Sequence, residues 1–136
     1  TGNIGRLCVA TSSKLTLVGK LGFSLNDKYL KRAGLDYWEK LGVKQVEKLD
    51  DILKEVSFDR LFFFSKKGRK VFWDADFKED SMLIFGCETR GLDIDILEKY
   101  CERVYRIPVD IEVRSLNLSN AVSIAIYEAK RQNWGK

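Results

Sequence analysis

The last third of the chain constrains the fold most. An apolar segment ends at Ile107, the protein's single proline, Pro108, follows, and a polar turn without glycine leads to Ser119 and Asn120. Proline has no N–H for a strand ladder, so a strand stops here and a helix begins shortly afterwards. Ser119 and Asn120 offer side-chain oxygens to the first unpaired helical N–H groups, and Asn117 could do the same one step earlier. Beyond them Ala121, Val122, Ile124, Ala125, Ile126 and Ala129 spread over more than one helical face, which is more apolar surface than one core stripe uses. The helix, running to Gln132, is therefore predicted to bury two sides, one in its own domain and one elsewhere. Closure of a single core is the alternative.

The composition of the 136 residues, 45% hydrophobic and 32% charged, is that of one folded domain with a substantial core. No run approaches the roughly 18–20 apolar residues of a membrane helix, and there is no signal-peptide pattern. Three cysteines without paired spacing argue against a disulfide framework and for a reducing, cytoplasmic setting. The absence of histidine excludes histidine triads, histidine metal sites and histidine general bases. A formal net charge of +4 permits an anionic partner without demanding one.

Along the chain, a short helix is predicted over 4–10 with Leu7 and Cys8 inward, then a buried strand over 15–18. Gly19 and Gly22 bracket a loop, and Asp27 can cap a helical segment ended by Gly34. Residues 43–49 alternate like a strand, and Asp50 and Asp51 open a helix with Ile52, Leu53 and Val56 on one side. Leu61-Phe62-Phe63-Phe64 and Met82-Leu83-Ile84-Phe85 are continuous apolar strands of the kind a parallel sheet covers on both faces. Residues 71–77 fit an edge strand or an irregular excursion. Asp93 or Asp95 opens a helix to about Cys101, and 104–107 forms the last strand. This alternation predicts an α/β fold with a mainly parallel sheet and helices on both faces, in one domain spanning 1–136.

In an open parallel sheet, ligands bind beyond the carboxyl ends of the strands. Three unusual loops fall there: 64–70, 86–91 and 107–120. Gly86 and Gly91 could let main chain come close to a ligand. Neither a Gly-x-Gly-x-x-Gly fingerprint nor a P-loop is present, and no cysteine pair or acidic cluster has metal-ligand spacing, so no metal is expected. Ser12, Ser13, Ser65, Ser115 and Ser119 lack an activating base. Cys8, Cys87 and Cys101 read as packing residues, Cys87 being the one near a site. Basic loop residues Lys66, Lys67, Arg69, Lys70, Arg90 and Arg114 could meet phosphates, as could Lys28, Lys31 and Arg32; a solvated basic surface is the alternative. Tyr37 and Trp38 could stack on bases or fill a subunit contact.

Three blocks, Thr1-Gly2-Asn3-Ile4-Gly5-Arg6, Ile84-Phe85-Gly86-Cys87-Glu88-Thr89-Arg90-Gly91-Leu92 and Arg114-Ser115-Leu116-Asn117-Leu118-Ser119-Asn120-Ala121-Val122, resemble in order the three signature motifs of the SpoU branch of the SPOUT methyltransferases. Asp27-Lys28, Leu30 and Arg32-Ala33-Gly34-Leu35-Asp36-Tyr37-Trp38 are similar to the small members that methylate the wobble ribose of tRNA. Two departures are visible: the first strand and proline-rich turn that would precede Thr1 are absent, implying a truncated chain, and Cys87 stands where proline is usual.

The resemblance implies a deep C-terminal trefoil knot whose loops grip S-adenosylmethionine. The implied cofactor contacts are Phe64, Gly86, Ile107 and Ser115, with Glu88 and Leu116 nearby; S-adenosylhomocysteine would be the product. It places Arg6 near the reacting 2′-hydroxyl, supported by Asn3. A guanidinium holds its proton firmly, so arginine suits holding a phosphate and orienting the hydroxyl better than acting as base. The expected RNA contacts are Arg32, Lys66, Arg90 and Arg114. The implied assembly is a homodimer, with Ile4, Leu7, Tyr37, Tyr127 and Trp134 as interface candidates. A knotted RNA-binding module without turnover, and an enzyme acting on another RNA, are the alternatives.

Overall fold

The computed structural model describes residues 2–19, 43–87, 90–110 and 116–136, and the chain divides into two compact units, Thr1–Glu55 and Val56–Lys136. In the first unit, helix α1 spans Gly2–Ala10 and buries Gly5 and Cys8, with Leu7 half-buried. Burial pushes the Cys8 thiol up in pKa, which suits packing rather than reactivity. Ser12 takes a left-handed backbone, φ +55°. Its N–H donates to Val9 O at 3.2 Å and that of Ser13 to Cys8 O at 2.8 Å. These two reversed bonds close the helix with serine where glycine is commoner. Thr11 is buried, and its hydroxyl donates to Leu7 O at 2.9 Å. The serine pair is thus a helix stop.

Strands β1 (Thr16–Val18) and β2 (Lys44–Val46) pair in parallel, with Thr16 opposite Lys44. Both are shorter than the predicted segments. Helix α2, Asp50–Leu53, buries Ile52 and Leu53 and ends before Val56. Its two leading aspartates suit the positive end of the helix dipole. The readings at Gly22, Asp27, Gly34, Tyr37 and Trp38 lie outside the described residues.

The second unit is built on four strands: β3 (Leu61–Phe64), β4 (Lys70–Val71), β5 (Met82–Phe85) and β6 (Val104–Arg106). Their order is β4-β6-β3-β5, and every pairing is parallel. Strand β3 is central and all four of its residues are buried, which is why its sequence is continuously apolar. Phe62 lies 4.7 Å from Phe77, and Phe64 stacks on Phe85 at 4.7 Å and 11°. Burying each such ring stabilises the fold by about 1.5–3 kcal/mol. Residues 71–77 combine both predicted forms, a two-residue edge strand followed by a 3-10 turn over Phe72–Asp74. Helix α3, Ile94–Lys99, precedes β6.

The C-terminal helix α4, Leu118–Asn133, buries Val122, Ala125 and Ile126, and Ala129 joins the same core. That spacing is one helical stripe. Ile124 and Tyr127, 41% and 54% exposed, lie away from it, so among the described residues one face is covered. The far end is fastened by side-chain amides. Gln132 accepts from Phe77 N–H and donates to Ala75 O, both at 2.9 Å, and Asn133 donates to Phe77 O at 2.9 Å.

The cap differs from the leading sequence reading. Asn117, at φ −54° and ψ 137°, is the cap residue. Its Oδ1 accepts from the N–H of Ser119 at 2.9 Å and of Asn120 at 3.4 Å, and from the Ser119 hydroxyl at 2.6 Å. Ser119 and Asn120 already lie inside the helix, where their N–H groups are the ones needing a partner. Replacing Asn117 by Ala is expected to cost about 1 kcal/mol of stability, whereas Asn120→Ala should stay within about 0.5 kcal/mol. Urea unfolding of the two variants measures both, and equal losses would reassign the cap.

Candidate functional site

Two parallel strands usually need a connection of about a dozen residues or more. Strands β3 and β4 are parallel and lie on either side of β6, yet only residues 65–69 join them. The short route runs against the main chain of β6. A Cβ on Gly68 would stand 2.6 Å from the carbonyl carbon of Tyr105 and 2.8 Å from the nitrogen of Arg106, a separation only glycine allows. The crossing is tied down on both sides. Ser65 N–H donates to Tyr105 O at 3.0 Å, and Gly68 N–H donates to Ser65 O at 3.0 Å. The Arg106 guanidinium donates to the carbonyls of Gly68 and Arg69 at 3.2 and 3.1 Å.

A second loop leaves β5. A Cβ on Gly86 would lie 2.1 Å from the carbonyl carbon of Gly91 and 2.3 Å from the nitrogen of Leu92. The chain therefore folds back onto Gly86, aided by a left-handed Gly91 at φ +70°. Gly91 N–H donates to Cys87 O at 2.9 Å. The space that glycine opens at position 86 is filled by this loop's own main chain. Cys87 is exposed, and its Sγ lies 3.9 Å from Gly91 O.

Because every pairing is parallel, these loops and the one after β6 emerge at one edge. The ladders end at Phe64 opposite Phe85 and at Val71 opposite Arg106, which puts the peptide groups of Gly86 and Ile107 just beyond the last strand pairs. Phe64 is buried between them, and Ile107 packs against the aromatic core. Leu116 is half-buried one residue before the helix cap. The main-chain groups of Gly86 and Ile107 at this edge, next to apolar side chains, could meet the hydrogen-bonding edge of a ligand. Exposed Lys66, Lys67, Arg69 and Arg90 make the loops positive, a property that favours phosphates.

The structure thus brings Phe64, Gly86 and Ile107 to one edge. Asn3 and Arg6 are exposed on α1 in the other unit, three residues apart and so neighbours on the helix surface. Ser115, Glu88, Arg114 and Arg32 lie outside the described residues. Among the described residues no group of three His, Cys, Asp or Glu is placed to hold a metal. None of their helices is long and apolar enough to cross a membrane. Sequence reasoning missed Gly68 and Arg106, whose signal was the improbably short link between two strands.

Residues 1–127 match the SpoU rRNA Methylase family. The chain is 46% identical, over 97% of its length and 86% of the relative's, to a tRNA (cytidine(34)-2′-O)-methyltransferase of Saccharophagus degradans. It superposes with a TM-score of 0.87, at 39% identity over 96% of this chain and 86% of the other, on a structure described as giving insight into 2′-hydroxyl methylation of C/U34 on tRNA. A SpoU methyltransferase of Streptomyces viridochromogenes in complex with AdoMet gives a TM-score of 0.79 at 25% identity, covering 96% of this chain and 52% of that one.

Gly68→Ala forces a side chain into a peptide group and should cost about 1–3 kcal/mol of stability. Lys67→Ala, one residue away and exposed, should be nearly silent. Thermal unfolding compares them; a silent Gly68→Ala would show that the crossing has room to spare.

Proposed function

Because the chain belongs to the SpoU methylase family, we propose that it is a tRNA ribose 2′-O-methyltransferase, transferring the methyl group of S-adenosylmethionine to the wobble nucleotide, cytidine or uridine. The likeness that carries this reading runs through essentially the whole chain, residues 1–127 of which contain the three ordered blocks.

S-adenosylmethionine supplies a methyl group already activated on a sulfonium. The chain's own residues must bind it, align the ribose and help the hydroxyl part with its proton, while S-adenosylhomocysteine leaves. Phe64 and Ile107 would supply apolar contacts to the cofactor, and the main chain around Gly86, Glu88, Ser115 and Leu116 would supply its hydrogen-bonding groups. The short crossing of β6 by residues 65–69 supports reading the C-terminal region as a trefoil knot in a single domain. Arg6 holds the substrate phosphate and orients the 2′-hydroxyl, with Asn3 beside it on the helix. Lys66, Arg90, Arg114 and Arg32 hold the tRNA backbone. The exposed side of α4, with Ile124, Tyr127 and Trp134, fits a homodimer contact in a cytoplasmic enzyme.

The decisive assay is transfer of labelled methyl from S-adenosylmethionine to tRNA, with the modified nucleotide located by mass spectrometry. Label at ribose 34 is expected; none with folded full-length protein would leave an RNA-binding module, and label in ribosomal RNA alone would change the substrate. In the same assay Arg6→Ala should lose at least about 100-fold in kcat, as misplacement of reacting groups costs, while affinity for S-adenosylhomocysteine stays within about twofold. Normal turnover would remove Arg6 from the chemistry.

A further inference from the structure

Trp73 is 58% exposed, whereas its neighbour Phe72 is buried in the core. It sits in the 3-10 turn Phe72–Asp74 directly after edge strand β4, two residues beyond the last ladder pair, Val71 with Arg106. Trp73 therefore stands at the same carboxyl edge of the sheet as Gly68 and Ile107. The turn is held from both sides. Before it, the loop 65–69 is clamped by Arg106. After it, Ala75 N–H donates to Phe72 O at 3.0 Å, and Gln132 and Asn133 grip Ala75 and Phe77. An indole presented on so fixed a frame loses little freedom when something stacks on it.

The loop that leads into β4 carries Lys67 and Arg69, both exposed and in no ion pair among the described residues. Lys70, by contrast, is spent on Glu102 O at 2.9 Å. Acidic neighbours are also present: Asp76 pairs with Lys78 at 3.1 Å, and Asp74 next to the ring in sequence is exposed. An exposed ring at a sheet edge, in a segment that also carries two exposed cations without ion pairs, suits single-stranded nucleic acid: a base stacks on the ring, and the backbone phosphates meet the cations.

Resting on the function proposed above, the geometry points to Trp73 as a stacking platform for an unpaired base of the substrate RNA, with Lys67 and Arg69 taking the adjoining phosphates. Trp73 is a positioning residue that governs RNA affinity and not the transfer step. In full-length protein, Trp73→Ala is expected to raise KM for tRNA about tenfold, the usual cost of one lost stack. kcat, S-adenosylhomocysteine affinity and oligomeric state should stay within about twofold of the parent. Trp73→Phe should recover most of the loss, and Lys67→Ala with Arg69→Ala should raise KM and flatten its salt dependence. Independently of turnover, a short single-stranded RNA should quench tryptophan fluorescence in the parent and much less in Trp73→Phe.

An unchanged KM with equal quenching in parent and variant would overturn the inference while leaving the methyltransferase reading intact. So would a fall in cofactor affinity or a change of oligomeric state in Trp73→Ala, because either means the ring serves folding or assembly. Failure of the parent to methylate any RNA counts against the function instead, and the quenching experiment still decides the platform.

Discussion

The contact between Gly68 and the Tyr105–Arg106 peptide is the constraint from which the second unit is organised. Two stretches of main chain touch with no side chain between them, so their spacing is set by covalent geometry and not by packing that can adjust. The approach would be unfavourable if it left peptide groups dry and unpaired. Ser65 and Arg106 remove that cost, the first by donating to Tyr105 O and the second by donating to two carbonyls of the crossing loop. Arg106 is therefore a structural cation, as is Arg103, which donates to the carbonyls of Leu61 and Asp59 at 2.9 and 3.1 Å. The fixed position of Arg106 in turn fixes β4 and the turn carrying Trp73.

What could be read from the sequence follows the range of the interactions involved. Leu61–Phe64 and Met82–Phe85 were legible because burial on both faces requires an uninterrupted apolar run, a property of the segment itself. The helix from 118 was legible because its capping residues and its apolar positions are likewise properties of the segment itself. Its cap was assigned ambiguously because Asn117, Ser119 and Asn120 are chemically equivalent candidates; what separates them is backbone geometry, extended at Asn117 and helical after it. Ser12 was missed as a helix stop because glycine is the usual signal, although φ +55° costs serine only modestly. Gly68, set among the basic residues of the 64–70 loop, carried no reading of its own. The need for glycine there comes from Tyr105, far along the chain, and no local pattern encodes it.

The candidate site shows the same division more sharply. Sites built from main-chain groups leave a signature of small residues in a fixed order, which is why the ordered motifs were informative while no single residue among them was. Gly86 illustrates the limit. Read alone, it promised access for a ligand, but the atoms pressed against it are those of Gly91 and Leu92. Its glycine shapes the loop, and only through that shape bears on anything bound there. Arg6 is the opposite case: an exposed arginine three residues after an asparagine on a short helix has no physical mark of function, and its assignment rests on the motif.

The far end of α4 links this edge of the sheet to the solvent. Glu128 accepts from Arg131 at 2.7 and 3.0 Å and from Gln132 at 2.9 Å. The Arg131 hydrogen bonds, with smaller help from Gln132, hold its carboxyl below the ordinary range. A carboxylate with a lowered folded-state pKa stabilises the fold at neutral pH and loses that contribution as acid protonates it. Arg131 is 71% exposed, so the ion pair itself contributes little in water. Its consequence is geometric. Glu128 and the 75–77 main chain share Gln132 between them, so the amide is oriented from two sides and passes the rigidity of the helix to the turn that bears Trp73. A helix whose apolar stripe closes the core thus also stiffens the edge where substrate would arrive, which is more than burial of that stripe would require.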